Sequence, residues 1–338
     1  MNISSLLDQA LAGRDLSADQ VDAAFEAMLE GELAPEAIAG LLIALRAKGE
    51  TVTEIAAAAR VMRRHAVGIP VAEGRTLVDT CGTGGDKSGT FNLSTAAAIV
   101  AAAGGASVAK HGNRSVSSKA GSADVLEALG VNLSKTPEEL GRILEEVGIA
   151  FLFAPAHHGA TRHAVGPRKA LGVRTLFNVL GPLTNPAGAQ RQVLGVFAES
   201  LVEPIGAVLA ELGTEHALVV HGHGGLDELS ISGPSLVCEV AAGELRTYRL
   251  APADVGLETA DLITLRGGDA SENAAILTAI FEGERSPRAD AVAYSAGAAL
   301  YVAGLAEDLR DGVDKATRTL ADGDAALTLY KLVEATNA

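Results

Sequence analysis

After Pro70 the chain alternates short runs of β-forming residues with longer stretches of helical spacing, and that alternation leaves few architectures open. The β-rich runs are residues 76–80, 106–109, 149–153, 192–197 and 217–221. Between them lie helices such as 136–147, where Thr136 caps, Pro137 takes the first helical position and Glu139 closes a capping box. Strands separated by helices imply a mainly parallel central sheet with helices on its faces. Further helices close the chain near 272–281, 290–305 and 325–335.

Residues before 70 carry helical signals only. Ser17 and Gln20 form a capping box, and Pro35 suits the first turn of another helix. Ile38, Leu41, Leu42 and Leu45 recur at helical spacing. The expected organisation is a small N-terminal helical domain over 1–69, with about four helices, and a larger α/β domain over 70–338. Its residues 178–192, "NVLGPLTNPAGAQRQ", read as one long Pro/Gly/Asn connection, and ordered loops of that length are often functional.

Charge narrows the function. A net charge of −15 argues against a nucleic-acid binder, which needs a basic face, and against docking on an anionic membrane. The two cysteines, Cys81 and Cys238, form no CxxC pair. That rules out a disulfide scaffold and a cysteine zinc site, and it suits a reducing cytosol. The start, "MNISSLLDQALAGRDLS", shows no basic segment leading into an apolar run, so a cytoplasmic protein without signal peptide is expected. The alanine-rich run after Thr95 reads as a buried helix.

Four features carry chemistry. The first, "DTCGTGGDKSGTFNLST" from Asp79, puts a glycine turn between a strand ending at Thr80 and a helix starting near Ser94. Glycines let backbone N–H groups approach an anion, and a helix N-terminus favours negative charge. Asn92, Ser94 and Thr95 can cap that helix or bond phosphate oxygens. The pattern is neither a Walker loop nor a Rossmann fingerprint, so glycines alone also fit a plain tight turn. The second observation concerns acids. None occurs over 87–123, which holds Lys87, Lys110, Arg114 and Lys119. None occurs over 151–198 either, which holds Arg162, Arg168, Lys169, Arg174 and Arg191. A strongly acidic chain thus keeps two windows positive, as one anion-binding cleft would need. The third stretch, "KHGNRSVSSKAGSAD" from Lys110, places cations, an amide and hydroxyls in a strand-to-helix loop. In the fourth, "HGHGGLDELS" from His221, Asp227 and Glu228 follow a strand; adjacent carboxylates beside a polyphosphate suit Mg²⁺. His221 and His223 lack a close third ligand for zinc.

Taken together, "GTGGD…FNLST", "KHGNRSVSS", "RKALGVRTLFNVLGPLTNPA" and "GLDELS" resemble the anthranilate phosphoribosyltransferase family over essentially the whole chain. The resemblance implies a nucleoside phosphorylase/phosphoribosyltransferase-like fold, with a helical insertion around 160–190 joining the helical domain. It implies transfer of phosphoribose from phosphoribosyl pyrophosphate to the amine of anthranilate, a step of tryptophan biosynthesis. It implies Mg²⁺, two ions with phosphoribosyl pyrophosphate bound, and a homodimer formed through the helical domain. Gly82, Gly85, Asp86, Thr90, Asn92, Ser94, Thr95, Lys110, Ser118 and Ser122 would hold phosphoribosyl pyrophosphate. Ser94, Asp227 and Glu228 would ligate the metal. Asn113 and Arg168 would bind anthranilate, with Gly82 and His111 lining its path.

One departure stands out. Where the family often reads His-Pro-Ala-Met, this chain has Gly159 and Thr161 at the Pro and Met positions, beside the expected anthranilate entrance. Arg168 follows what reads as a Gly166-Pro167 turn. Lys110 would offset the charge of the leaving pyrophosphate, and His111 is a candidate proton acceptor. The rivals are a pyrimidine nucleoside phosphorylase, a non-catalytic nucleic-acid-binding relative of the fold, and a related transferase with another aromatic acceptor. The Asp227–Glu228 pair and "GTGGD" disfavour the first, and the net charge disfavours the second.

Overall fold

The computed structural model describes residues 2–86, 88–115 and 119–338. Helices α1 (Ile3–Leu11), α2 (Ala18–Leu29), α3 (Pro35–Lys48) and α4 (Val52–His65) come first. Both halves of the Ser17–Gln20 box form at α2, and a Thr51–Glu54 box starts α4. The Glu54 carboxylate is fully buried, a costly position unless its oxygens are all engaged. It accepts from the Leu16 and Thr51 N–H groups and from Lys48 Nζ, and so ties three helix ends together.

The chain then builds β1 (Leu77–Gly82), α5 (Leu93–Ala103), β2 (Ser107–Gly112), α6 (Ser122–Ala128), α7 (Pro137–Val147) and β3 (Ile149–Phe153). Short helices α8 (Ala154–His157), α9 (Arg162–Leu171) and α10 (Phe177–Leu180) precede β4 (Arg191–Gly195), α11 (Val202–Glu211) and β5 (His216–His221). A hairpin of β6 (Ser235–Ala241) and β7 (Glu244–Leu250) follows, then α12 (Ala270–Phe281), α13 (Pro287–Val302), α14 (Leu309–Ala321) and α15 (Asp324–Asn337). The sheet order is β3-β2-β1-β4-β5-β6-β7. Strands β1 to β5 pair in parallel, and β6 and β7 are antiparallel. From β1 the chain winds outward to β3, then returns to β1's other side as β4. The order therefore reverses between β1 and β4, and the crevice beyond the carboxyl ends of the strands there is where open α/β sheets take ligands.

Two apolar cores flank the sheet. One packs α5 and α13 against side chains such as Val78, Val108 and Leu218. The other joins Phe25, Leu42 and Val61 of the first four helices to Leu180, Leu194, Val208 and Val219. Helix α9 lies against α2 and α3, and α11 against α4. The apolar surface that the first helices cannot bury among themselves is thus largely covered within the chain. Among the described residues no helix is long and apolar enough to cross a membrane.

Several expectations need correction. β1 and β2 do not stop at Thr80 and Ala109, because pairing of Gly82 with Gly195 and of Gly112 with Phe153 extends both. Lys110 and His111 are therefore strand residues, held more rigidly than loop residues. The connection 178–192 is not structureless: it contains the end of α10 and a 3₁₀ turn, Gly181–Leu183. Gly166 and Pro167 lie inside α9 and form no turn. The β6–β7 hairpin and α14 were not foreseen. Gly312 obscures the helical pattern of α14, yet it is required there. A Cβ on it would meet Gly297 O at 2.3 Å, where α13 and α14 cross.

Candidate functional site

The glycine loop after β1 opens into the switch-point crevice. Gly84 and Gly85 have φ of +67° and +78°, conformations that residues with a Cβ rarely adopt. Four contacts hold the loop. Thr83 N–H donates to Gly195 O at 2.9 Å, and Phe197 N–H donates to Thr83 Oγ1 at 3.0 Å. Gly84 N–H donates to Asp227 Oδ2 at 2.6 Å. The Arg174 guanidinium donates to Gly85 O. Glycine is needed behind the loop as well. A Cβ on Gly82 would meet Asp227 Oδ2 at 2.7 Å, and one on Gly195 would meet Asp227 O at 1.6 Å.

Lys110 reaches under this loop from β2. Its ammonium is buried and donates to Thr80 O at 2.6 Å and to Ser94 Oγ at 3.5 Å. Burial pulls its pKa down, against the opposing pull of Asp79, Cys81 and Glu228. Asp79 is fully buried in β1, and burial raises its pKa. One of its oxygens accepts from the His111 N–H at 3.2 Å; the other accepts from Asn185 Nδ2 at 2.8 Å. Asn185 also donates to Ala109 O. Asp79 and Asn185 therefore fix the strand that presents Lys110 and His111.

The acids converge from the other side. Asp227 is pushed up to about 7, by burial and then by the neighbouring Asp86. Glu228 is pushed up to about 8, by burial and then by Asp227, with Lys110 and a hydrogen bond to the Ser94 backbone opposing. Asp86 Oδ2 is buried with no donor among the described residues. Packed carboxylates held against their own ionisation fit a cation. Among the described residues no three His, Cys, Asp or Glu side chains are grouped to hold a metal unaided. Asp227, Glu228 and Ser94 Oγ offer the hard oxygens Mg²⁺ prefers, with water and phosphate oxygens left to complete its shell. The residues fit that ion.

The remaining expected residues divide. Asn92 does not cap α5 with its side chain, contrary to expectation. That side chain instead bridges Ala120 O and Asn273 Nδ2, which fixes the loop beside the helix. The first turn of α5 is closed on itself and on Glu228: Leu93 N–H donates to Phe91 O, the Thr95 and Ala96 N–H groups donate to Asn92 O, and the Ser94 backbone bonds Glu228. Thr95 Oγ1 is buried there without a partner among the described residues. Thr90 forms an isolated bridge with Arg266 and bonds Ser88 Oγ. Asn113 O accepts from Ser122 Oγ at 3.2 Å. Ser118 lies outside the described residues. Arg114 and Arg191, two cations of the acid-poor windows, are paired with acids outside those windows, Arg114 with Asp124 and Glu127 and Arg191 with Glu215.

The His111 ring lies 5.0 Å from that of His158, and both Nε2 atoms are buried without a partner among the described residues. Burial, then the charge of neighbouring histidines, lowers His111 to about 3; burial and His157 lower His158 to about 4. His111 is therefore neutral at working pH and a weak base. Arg168 on α9 lies 4.8 Å over the Phe177 ring and has no ion pair among the described residues. A Cβ at Gly159 would meet nothing within 4 Å, so that departure leaves open space.

Residues 4–66 match the glycosyl transferase family helical bundle domain, and residues 74–326 the glycosyl transferase family a/b domain. The anthranilate phosphoribosyltransferase of Thioalkalivibrio sulfidiphilus is 53% identical over 95% of both chains. That of Teredinibacter turnerae is 51% identical over the full length of both. The crystal structure of the Thermus thermophilus enzyme of that name is similar with a TM-score of 0.93 and 48% identity, covering 98% of this chain and 99% of that one. The Saccharomyces cerevisiae enzyme, solved with phosphoribosyl pyrophosphate and Mg, is similar with a TM-score of 0.89 and 27% identity, covering 99% and 98%.

Proposed function

The chain belongs to the anthranilate phosphoribosyltransferase family, and from that premise we propose how its site is used. The reaction moves the phosphoribosyl group of phosphoribosyl pyrophosphate to the amine of anthranilate, giving N-(5-phosphoribosyl)anthranilate and pyrophosphate in tryptophan biosynthesis. The glycine loop from Gly82 to Asp86, the start of α5 at Asn92, Ser94 and Thr95, and Thr90, Lys110, Ser118 and Ser122 hold phosphoribosyl pyrophosphate. Asp227, Glu228 and Ser94 would hold Mg²⁺, two ions with the substrate bound. When bound there, the metal would offset the charge of the leaving pyrophosphate. Lys110 adds a fixed positive charge from a buried position, where it is worth more than in water. An arylamine is unprotonated at neutral pH, so no strong base is required. His111 Nε2 accepts a hydrogen bond from that amine, while Arg168 grips the carboxylate of anthranilate and Asn113 orients the ring. Catalysis is then alignment plus electrostatics.

The observation that carries this reading is the meeting of Gly84 N–H, Lys110, Asp227 and Glu228 at the switch point. It is tested by product detection with phosphoribosyl pyrophosphate, Mg²⁺ and a panel of aromatic amines. Preference for anthranilate is expected; metal-free phosphorolysis of thymidine would sink the reading.

The helical unit, residues 1–69 with the insertion around 160–190, carries a homodimer interface in this reading. Leu11 on α1 and Val165 on α9 are 69% and 56% exposed, apolar positions suited to it. Leu11→Glu with Val165→Glu should shift sedimentation to a monomer. Free, buried Cys81 and Cys238 suit a cytoplasmic location.

A further inference from the structure

We infer that Arg174 is a positioning residue that sets the phosphate-binding loop from behind. This rests on the proposed use of that loop for pyrophosphate. Arg174 belongs to the segment between α9 and α10, which Asn178 pins by accepting the Thr175 N–H at 2.9 Å. Its guanidinium stacks on the Phe197 ring, 3.8 Å from the centroid. Phe197 is fixed in turn, because its N–H is bonded to Thr83 Oγ1 in the same loop. The one hydrogen bond Arg174 makes among the described residues goes to Gly85 O.

That bond has a geometric consequence. In a trans peptide the carbonyl and the following N–H point in opposite directions. With Gly85 O turned to Arg174, the Asp86 N–H faces the other way. Among the described residues neither the Gly85 nor the Asp86 N–H donates to anything, so both remain free for an anion. Gly85 has a φ of +78° and no Cβ to resist rotation. Without Arg174 its carbonyl can swing toward the phosphates, where oxygen would face oxygen. A planar group that stacks and donates at once meets both demands, and lysine does not.

Arg174→Lys, Arg174→Gln and Phe197→Leu should each raise the dissociation constant of Mg²⁺-phosphoribosyl pyrophosphate and its KM by about tenfold or more, as loss of a charge-assisted contact predicts. KM for anthranilate should stay within about twofold. Arg174→Lys combined with Phe197→Leu should cost little more than either alone, because the two act as one unit. Calorimetry, initial rates and thermal unfolding of the full chain give these readouts, and Phe197→Leu leaves the arginine itself intact should the Arg174 variants not fold. Recovery of wild-type KM by lysine would mean that charge alone matters, and would overturn the positioning role. Unchanged KM in all variants would overturn it too. Failure of the wild type to bind Mg²⁺-phosphoribosyl pyrophosphate would instead overturn the functional reading beneath it.

Discussion

The Gly84 N–H donates to Asp227 Oδ2 at 2.6 Å, which ties a carboxylate of the proposed metal site to the glycine loop proposed for phosphate. An amide oxygen can keep that bond and a methyl group cannot. Asp227→Asn should therefore unfold within a few degrees of wild type, while Asp227→Ala should lose about 1–3 kcal/mol for the orphaned donor. Equal stability of the two variants in denaturant titration would show that the bond holds nothing.

The acids also fix a pH response. Asp227 and Glu228 have folded pKa values raised to about 7 and about 8, against ordinary carboxylate values near 4 in the unfolded chain. Both states are protonated at low pH, so the two acids cost nothing there. As pH rises from about 4, the unfolded chain ionises first and stability is lost, until the folded acids ionise at about 7 and 8. In EDTA, Asp227→Asn with Glu228→Gln should therefore gain thermal stability relative to wild type as pH climbs through this window. A constant difference across pH 5 to 9 contradicts the assignment.

His111 works the other way. Its folded pKa is lowered to about 3, so below about 6.5 the unfolded chain takes up a proton that the folded chain refuses. Its contribution is full above pH 6.5 and falls as pH drops toward 3. His111→Asn should therefore gain stability relative to wild type on acidification. The kcat profile of the wild type should carry no His111 inflection between pH 6 and 9. An inflection there that vanishes in His111→Asn would restore the histidine as a titrating base.

Arg168 lies over Phe177 with no acid paired to it among the described residues, and in the proposed reading it meets the carboxylate of anthranilate. Arg168→Ala should raise KM for anthranilate about ten- to hundred-fold, the loss expected for one charge-assisted contact. Binding of phosphoribosyl pyrophosphate should change little. Aniline, which lacks the carboxylate, should be a poor acceptor for both enzymes and lose little on mutation. An equal penalty for the two acceptors would leave Arg168 with a structural role only.

How much of this was legible follows from where the information sits. The four motifs, the capping boxes and the parallel alternation are local, and Gly82, Lys110, Asp227 and Glu228 do meet at the switch point. The ends of β1 and β2 were not legible, since pairing across to Gly195 and Phe153 decides them. β7 escaped because it is largely polar and solvent-facing, a weak strand signal. Asp79 and Asn185 lie within the motifs, but no local pattern assigns either a partner. A carboxylate inside an apolar strand was the signal for Asp79, whereas its bond to Asn185 spans 106 residues. Arg174 read as one more cation in an acid-poor window, and only its stacking on Phe197 distinguishes it.

The most direct test of the account is turnover of anthranilate by wild type and by Asp227→Asn with Glu228→Gln, at saturating phosphoribosyl pyrophosphate and with Mg²⁺ varied. The wild type should form N-(5-phosphoribosyl)anthranilate with full dependence on Mg²⁺. The folded double variant should form none at any concentration of the metal. Wild-type turnover by that variant would contradict the metal role of the acid pair, and with it the proposed use of the site.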